Sequence, residues 1–251
     1  MKNENLFDRA KALKLYGLIA HWDEIKTESW VELIIDWEEN ERSNLGFKRR
    51  LSNARLGKFK LLANFDWGWP KKCDRGSIEE LMQLEFIKDA TNIVICGPNG
   101  VGKSMIACNI GHQAVISGHT VLFVTASGML GDLISQDGGN ALRRRIKYYT
   151  KPSLLMVDEV GYLSYSNRHA DLLFEIISQR YEKKSTLVTT NKPFTEWGEI
   201  FLNASCVVSI VDRLVHNSEV ISIEAESYRL KEAKEKSENK KISKNKSKAS
   251  K

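Results

Sequence analysis

The most specific chemistry in the chain sits in Gly97-Pro98-Asn99-Gly100-Val101-Gly102-Lys103-Ser104, a full match to the pattern G-x-x-x-x-G-K-[S/T]. A triphosphate must be met by several backbone N–H donors converging on it, and glycines let the chain wrap closely enough to supply them. The pattern gives Lys103 to the β- and γ-phosphates and the Ser104 hydroxyl to Mg²⁺, with Met105 on the first turn of the helix that follows. A helix that starts at the phosphates adds its free amides and the positive end of its dipole.

A second group lies further on, where the apolar run Leu154-Leu155-Met156-Val157 ends in Asp158-Glu159. Ligands of open α/β sheets bind outside the carboxyl ends of the strands. Asp158 is therefore expected in the Mg²⁺ shell and Glu159 as the group that polarises an attacking water. A metal carboxylate with an adjacent base favours hydrolysis of ATP over transfer to another substrate. Asn191 follows the run Thr186-Leu187-Val188-Thr189-Thr190. Its amide could reach the γ-phosphate or the lytic water, although an Asn after a strand commonly serves a turn. Arg213 and Arg229 could neutralise phosphate charge in cis or from a neighbouring subunit, or could be ordinary surface residues.

These residues need elements to hold them. Asn92–Cys96, Val121–Val124, Ser153–Val157 and Ser185–Thr189 read as short strands, with Val220–Ile223 as a last one. Between them Lys103–Ser117, Gly128–Ser135, Ala141–Tyr149 and Arg168–Lys183 read as helices, the last with Leu172, Leu173, Ile176 and Ile177 inward. Strands alternating with helices predict an α/β architecture with a mainly parallel sheet covered on both faces.

Ahead of it, from Leu6 to about Leu62, the chain reads helical. Leu13, Tyr16, Leu18, Ile19, Trp22 and Ile25 recur at spacings of three and four, and Trp30, Leu33, Ile34 and Trp37 continue the rhythm. Gly68, Pro70 and Gly76 mark a linker. The expected domains are a helical unit over 1–75, an α/β unit over 76–230 and a tail over 231–251. The tail holds nine Lys and three Glu, which accounts for the whole net charge of +6. With almost no apolar residue it is expected to be disordered, as a solubilising tail or a polyanion-binding arm.

The stretch 42–60 carries Arg42, Lys48, Arg49, Arg50, Arg55, Lys58 and Lys60 and no acid. A basic helical face is usually just solvated, but this one also suits contacts with a phosphate backbone. The four cysteines, Cys73, Cys96, Cys108 and Cys206, form no C-x-x-C pair, which argues against a zinc site or disulfide framework. No apolar run is long enough to span a membrane, and the N-terminal residues lack the apolar core of an export signal, so a cytoplasmic location is expected.

Together, Phe65-Asp66-Trp67, the Gly97–Ser104 loop, the run 154–163 (Leu-Leu-Met-Val-Asp-Glu-Val-Gly-Tyr-Leu), the run 189–197 (Thr-Thr-Asn-Lys-Pro-Phe-Thr-Glu-Trp) and the run 212–216 (Asp-Arg-Leu-Val-His) resemble the IstB/DnaC-like ATPases. The resemblance runs from about residue 10 to residue 230 and is closest to the IstB transposition helpers of insertion sequences. It implies an AAA+ P-loop domain behind a small helical domain. Asn191 falls at the sensor-1 position, Arg213 at the arginine finger acting across a subunit interface, and Arg229 at sensor 2, although the two arginines could exchange roles. It further implies a homo-oligomer with ATP between subunits, assembly on double-stranded DNA, and activation of a cognate transposase. The run 42–60 and Arg143-Arg144-Arg145 would suit the DNA contacts. A DnaC-type helicase loader acting on single-stranded DNA shares the same core and is the nearest alternative. A small-molecule P-loop kinase would leave the basic helices without a task, and a scaffold that binds ATP without turnover would leave Glu159 without one.

Overall fold

The computed structural model describes residues 2–162, 166–201 and 205–237. They fall into two compact units that divide between Ser52 and Asn53.

The first unit is helical: α1 (Lys2–Ala12), α2 (Tyr16–Ala20), α3 (Trp22–Ile25) and α4 (Ser29–Ala54), whose last residues belong to the second unit. Its core joins Leu6, Ala10 and Leu13 to Val31 and Ile35, with Leu18, Ile19, Trp22 and Ile25 packed against them. Arg9 ties α1 to α4 through Asp36 (2.5 Å) and Glu39 (3.0 Å from Nε). The residues that continue the apolar rhythm on α4 are not its buried face. Trp30, Leu33, Ile34 and Trp37 are 40%, 46%, 37% and 62% exposed, while Val31 and Ile35 are sealed. At about 100° per residue the two stripes lie roughly 130° apart on the helix. Apolar residues cover so much of that circumference that spacing alone could not choose between the stripes.

The second unit is built on a five-stranded sheet in the order β2-β3-β4-β1-β5, with every neighbouring pair parallel. The strands are β1 (Asn92–Cys96), β2 (Val121–Thr125), β3 (Leu154–Val160), β4 (Ser185–Thr190) and β5 (Ser218–Ser222). Apart from Glu159 and Cys96, every residue of β1, β3 and β4 is buried, as expected of parallel strands covered on both faces. The helices are α5 (Arg75–Leu81), α6 (Glu85–Lys88), α7 (Lys103–Ile116), α8 (Ala126–Ile134), α9 (Gly139–Thr150), α10 (Asn167–Arg180), α11 (Trp197–Ile200) and α12 (Val207–Val215). Leu155 and Val157 of β3 join the core beneath α8 to α12, including Leu172, Leu173, Ile176 and Ile177. Met156, on the opposite face by strand alternation, meets α7 at Gly111, where a Cβ would lie 2.5 Å from its sulfur. This is the AAA+ P-loop fold.

Arg180 is buried at the end of the sheet remote from the P-loop. It donates to the carbonyls of Thr150, Pro152, Ser153 and Ser185 and to the Thr186 hydroxyl. Burial lowers its pKa to about 9.

Two expectations change at the unit boundaries. The helix expected to reach Leu62 stops at Ala54, and Arg55 (φ 55°) and Gly57 (φ 63°) turn the chain out of helical geometry. Residues 53–75, expected in the first unit, pack in the second. Asn109 of α7 holds them by donating to the Lys60 carbonyl and accepting from the Leu62 N–H, both at 2.9 Å. Lys72 then bridges antiparallel to Glu224. At the other end, residues 231–237, expected to be disordered, continue a helix that begins at 228. The rest of the expected tail, 238–251, lies outside the described residues.

Candidate functional site

The Gly97–Ser104 loop leaves β1, which lies between β4 and β5, and enters α7. Gly100 (φ 80°) and Gly102 (φ 102°) occupy the left-handed region, where side-chain-bearing residues are strained. Space reinforces the choice at Gly102, where a Cβ would stand 2.6 Å from the Phe65 ring. Gly102 also caps α7 without a side-chain hydrogen bond, so the first amides of the helix face the loop rather than a capping residue.

Lys103 is 5% exposed and curls back to donate to the carbonyls of Gly97 (2.7 Å) and Pro98 (2.8 Å). Burial holds its pKa below the ordinary lysine value, opposed by the nearby Asp158 carboxylate. Ser104 Oγ donates toward Asp158, 3.0 Å from Oδ1 and 2.9 Å from Oδ2. The two elements separated by 54 positions in sequence thus meet directly.

Glu159 is reached through a distortion of β3. Val157 pairs with Val188 and Val160 with Thr190. Asp158 and Glu159 therefore both oppose the single residue Thr189, which is the geometry of a β-bulge. Glu159 takes φ 63° there, a backbone state that costs a non-glycine residue about 1 kcal/mol or more. The Thr189 hydroxyl accepts from the Glu159 N–H at 3.0 Å and donates to Asp158 Oδ1.

Gly100, Gly102, Lys103, Ser104, Glu159 and Thr189 line a cavity of about 800 Å³ that also includes Lys58, Phe59, Lys60, Phe65, Trp69, Tyr162, Tyr228 and Arg229, with buried Asp158 behind them, joined to Ser104 and Thr189. Phe59, Phe65, Trp69 and Tyr228 give it an aromatic wall able to take a flat base. Tyr162 closes over the loop by donating to Asn99 Oδ1 at 2.5 Å. Asn191 lies just past β4, and its buried Oδ1 has no hydrogen-bond partner among the described residues. A Cβ at Gly161 would lie 3.3 Å from that oxygen.

The two arginines separate. Arg229 lines the cavity. Arg213 lies in the last turn of α12, donates to Ser178 Oγ and lies over the rings of Phe174 (4.5 Å) and Tyr181 (5.9 Å), none of which lines the cavity.

The acid-free run divides as well. Arg42, Lys48, Arg49 and Arg50 lie on α4 in the first unit, and Arg42 pairs with Glu38 one turn back at 2.6 Å. Arg55 stacks on Tyr148 at 5.7 Å. Lys58 and Lys60 line the cavity, and Lys60 pairs with Glu232 at 2.7 Å. Of the other basic cluster, Arg143 and Arg144 are exposed, whereas Arg145 is engaged with Asp132 and stacks on Tyr148 at 4.3 Å.

Thr189, Tyr162 and Phe65 lie inside runs that carry the resemblance, and Phe59 and Trp69 lie near them, but none of the five has a site role assigned from sequence. A hydroxyl near the end of the strand beside the Asp-Glu strand was the available signal for Thr189.

The donor set suits Mg²⁺. A hydroxyl and a carboxylate are hard oxygen ligands, and Mg²⁺ usually completes its shell with waters and substrate phosphates. Among the described residues no group of three or more His, Cys, Asp and Glu is placed to hold a metal by itself. No described helix is long and apolar enough to cross a membrane.

The family model described as "IstB-like ATP binding protein" matches residues 2–237. An insertion sequence IS21 protein of Pseudomonas aeruginosa is 36% identical over 83% of this chain and 79% of its own length. An IS5376 protein of Geobacillus stearothermophilus is 33% identical, covering 79% of each. Among solved structures, DnaI superposes with a TM-score of 0.53 at 20% identity, over 65% of this chain and 90% of its own. The replication initiator DnaA bound to AMPPCP and single-stranded DNA gives 0.52 at 19%, over 70% and 56%.

Proposed function

The chain belongs to the IstB-like ATP-binding proteins of insertion sequences, and from that membership we propose that it is a DNA-dependent ATPase that oligomerises on duplex DNA and assists a transposase. The observation that carries the reading is that Ser104 and Glu159 line one cavity while Ser104 bonds the Asp158 carboxylate directly behind it.

On this reading the triphosphate displaces the Gly97 and Pro98 carbonyls from Lys103, whose ammonium then pairs with the β- and γ-phosphates. Ser104 and Asp158 would hold Mg²⁺, which neutralises charge on the phosphate oxygens. Glu159 orients a water and accepts its proton as the water oxygen bonds to the γ-phosphorus and the bond to the β,γ-bridging oxygen breaks. The partnerless Asn191 oxygen suits a bond from that water. Arg229 takes phosphate charge within its own subunit. Arg213, placed off its own cavity, suits delivery to a neighbour's γ-phosphate, which makes hydrolysis depend on assembly. Lys48, Arg49 and Arg50 on α4, with Arg143 and Arg144, are the candidates for phosphate-backbone contact. The action on DNA would take place inside the cell.

The deciding measurement is the steady-state ATPase rate without DNA, with long duplex and with single strands. Stimulation by duplex that rises steeply with protein concentration is the expected result. A preference for single strands would replace the transposition reading with a helicase-loader one, and indifference to DNA with that of a small-molecule kinase.

A further inference from the structure

We propose that Thr189 is a positioning residue that locks the metal carboxylate and the general base to one another; this rests on the hydrolysis reading above. Thr189 is 1% exposed and stands alone opposite Asp158 and Glu159 at the bulge. A threonine hydroxyl has one proton and two lone pairs. Here the proton goes to Asp158 Oδ1, and one lone pair receives the Glu159 N–H at 3.0 Å.

The bulge takes both acids out of the regular ladder between β3 and β4. Without the hydroxyl, the Glu159 N–H would lose the partner that replaces its ladder bond. The left-handed backbone at Glu159 would lose its tether, and that backbone aims the carboxylate into the cavity, which Thr189 itself helps to line. At Asp158, the bond from Thr189 occupies Oδ1 from the β4 side, while Oδ2 is bonded to Ser104 alone. One side chain thus anchors the Asp158 carboxylate through Oδ1, with both its oxygens within reach of Ser104, and sets where the neighbouring base points. Outer partners of this kind commonly change metal affinity or activity by about 10- to 100-fold when removed.

Thr189→Val keeps the shape and the branched β-carbon but deletes both bonds, whereas Thr189→Ser keeps the hydroxyl. Two readouts are taken on the full chain: ATPase kinetics, and the Mg²⁺ concentration that half-saturates binding of a fluorescent ATP analogue. For Thr189→Val the expected results are a fall in kcat of roughly 30-fold, KM within about twofold, and a Mg²⁺ half-saturation raised roughly tenfold. Thr189→Ser should recover most of both. Wild-type kcat and Mg²⁺ dependence in Thr189→Val would overturn the proposal. So would a Thr189→Ser protein as impaired as Thr189→Val, which would mark packing rather than the hydroxyl as the cause. If the wild type proved to have no turnover, the hydrolysis reading would fail, while the Mg²⁺ titration would still decide whether Thr189 orients Asp158.

Discussion

The backbone N–H of Tyr228 donates to the carbonyl of Gly100 at 3.0 Å. This bond ties the C-terminal segment to the middle of the phosphate loop, and the next residue, Arg229, lines the same cavity. The segment is held from its other side by the chain that precedes β1. Trp69 Nε1 donates to the Glu226 carbonyl at 2.9 Å and its ring meets Tyr228 edge-on at 5.9 Å. Lys231 lies over the Trp69 ring at 4.4 Å and pairs with Asp66 at 3.1 Å.

Trp69→Ala removes the centre of this clasp. The expected result is a nucleotide affinity about tenfold weaker, corresponding to ~1.4 kcal/mol, with the melting temperature of the nucleotide-free protein changed much less. Fluorescent-nucleotide titration beside a thermal melt checks it. An unchanged affinity would mean that Arg229 is placed without the clasp.

Lys103→Ala and Glu159→Gln should part binding from turnover. The first removes the one buried cation of the loop and should abolish nucleotide binding. The second should bind ATP as the wild type does, lose turnover by about 10²- to 10⁴-fold, and leave the protein trapped on duplex DNA. Equilibrium binding and phosphate release, measured on both variants, give the comparison. Full turnover in Glu159→Gln would move the base to another residue.

Arg213→Ala should retain nucleotide binding and lose activity, because Arg213 stands off its own cavity, whereas Arg229→Ala should weaken binding itself. Mixing inactive Arg213→Ala with inactive Lys103→Ala should restore turnover, since the first supplies an intact phosphate loop and the second an intact finger. If the mixture stays inactive at every ratio, Arg213 does not act between subunits.

The divided basic run predicts two phenotypes. Replacing Lys48, Arg49 and Arg50 by Ala should weaken duplex binding and flatten its salt dependence by up to about 0.9 per lost phosphate contact. Replacing Lys58 and Lys60, which line the cavity, should alter nucleotide affinity and leave the salt slope in place. Salt titrations of DNA binding by the two triple and double variants test the division.

The α/β unit was legible because its signals are local. The apolar runs of β1, β3 and β4 are strands buried on both faces, and the phosphate loop and the Asp158-Glu159 pair announce themselves by residue type. What could not be read depends on meetings across the chain. Asn109 draws residues 60–62 onto α7, which ends the helical reading at Ala54 rather than Leu62. Trp30 and Trp37 fit a helical period as well as Val31 and Ile35 do, and only the packing of α1 and α4 selects the latter. Thr189 acquires its two bonds from a bulge, and a one-residue slip between strands leaves no mark in composition.

The clasp also bears on how the molecule is made. One wall of the cavity comes from residues 56–70 and another from residues 228–232, so segments translated far apart in time must both be present. β1, which carries the loop, gains its partner β5 only once Ser218–Ser222 has emerged. A nascent chain that has exposed the phosphate loop but not these last residues has no closed site. Bound nucleotide can therefore favour the native fold only in a chain made past residue 232, by its binding to the folded state, and cannot rescue fragments that stop short of it.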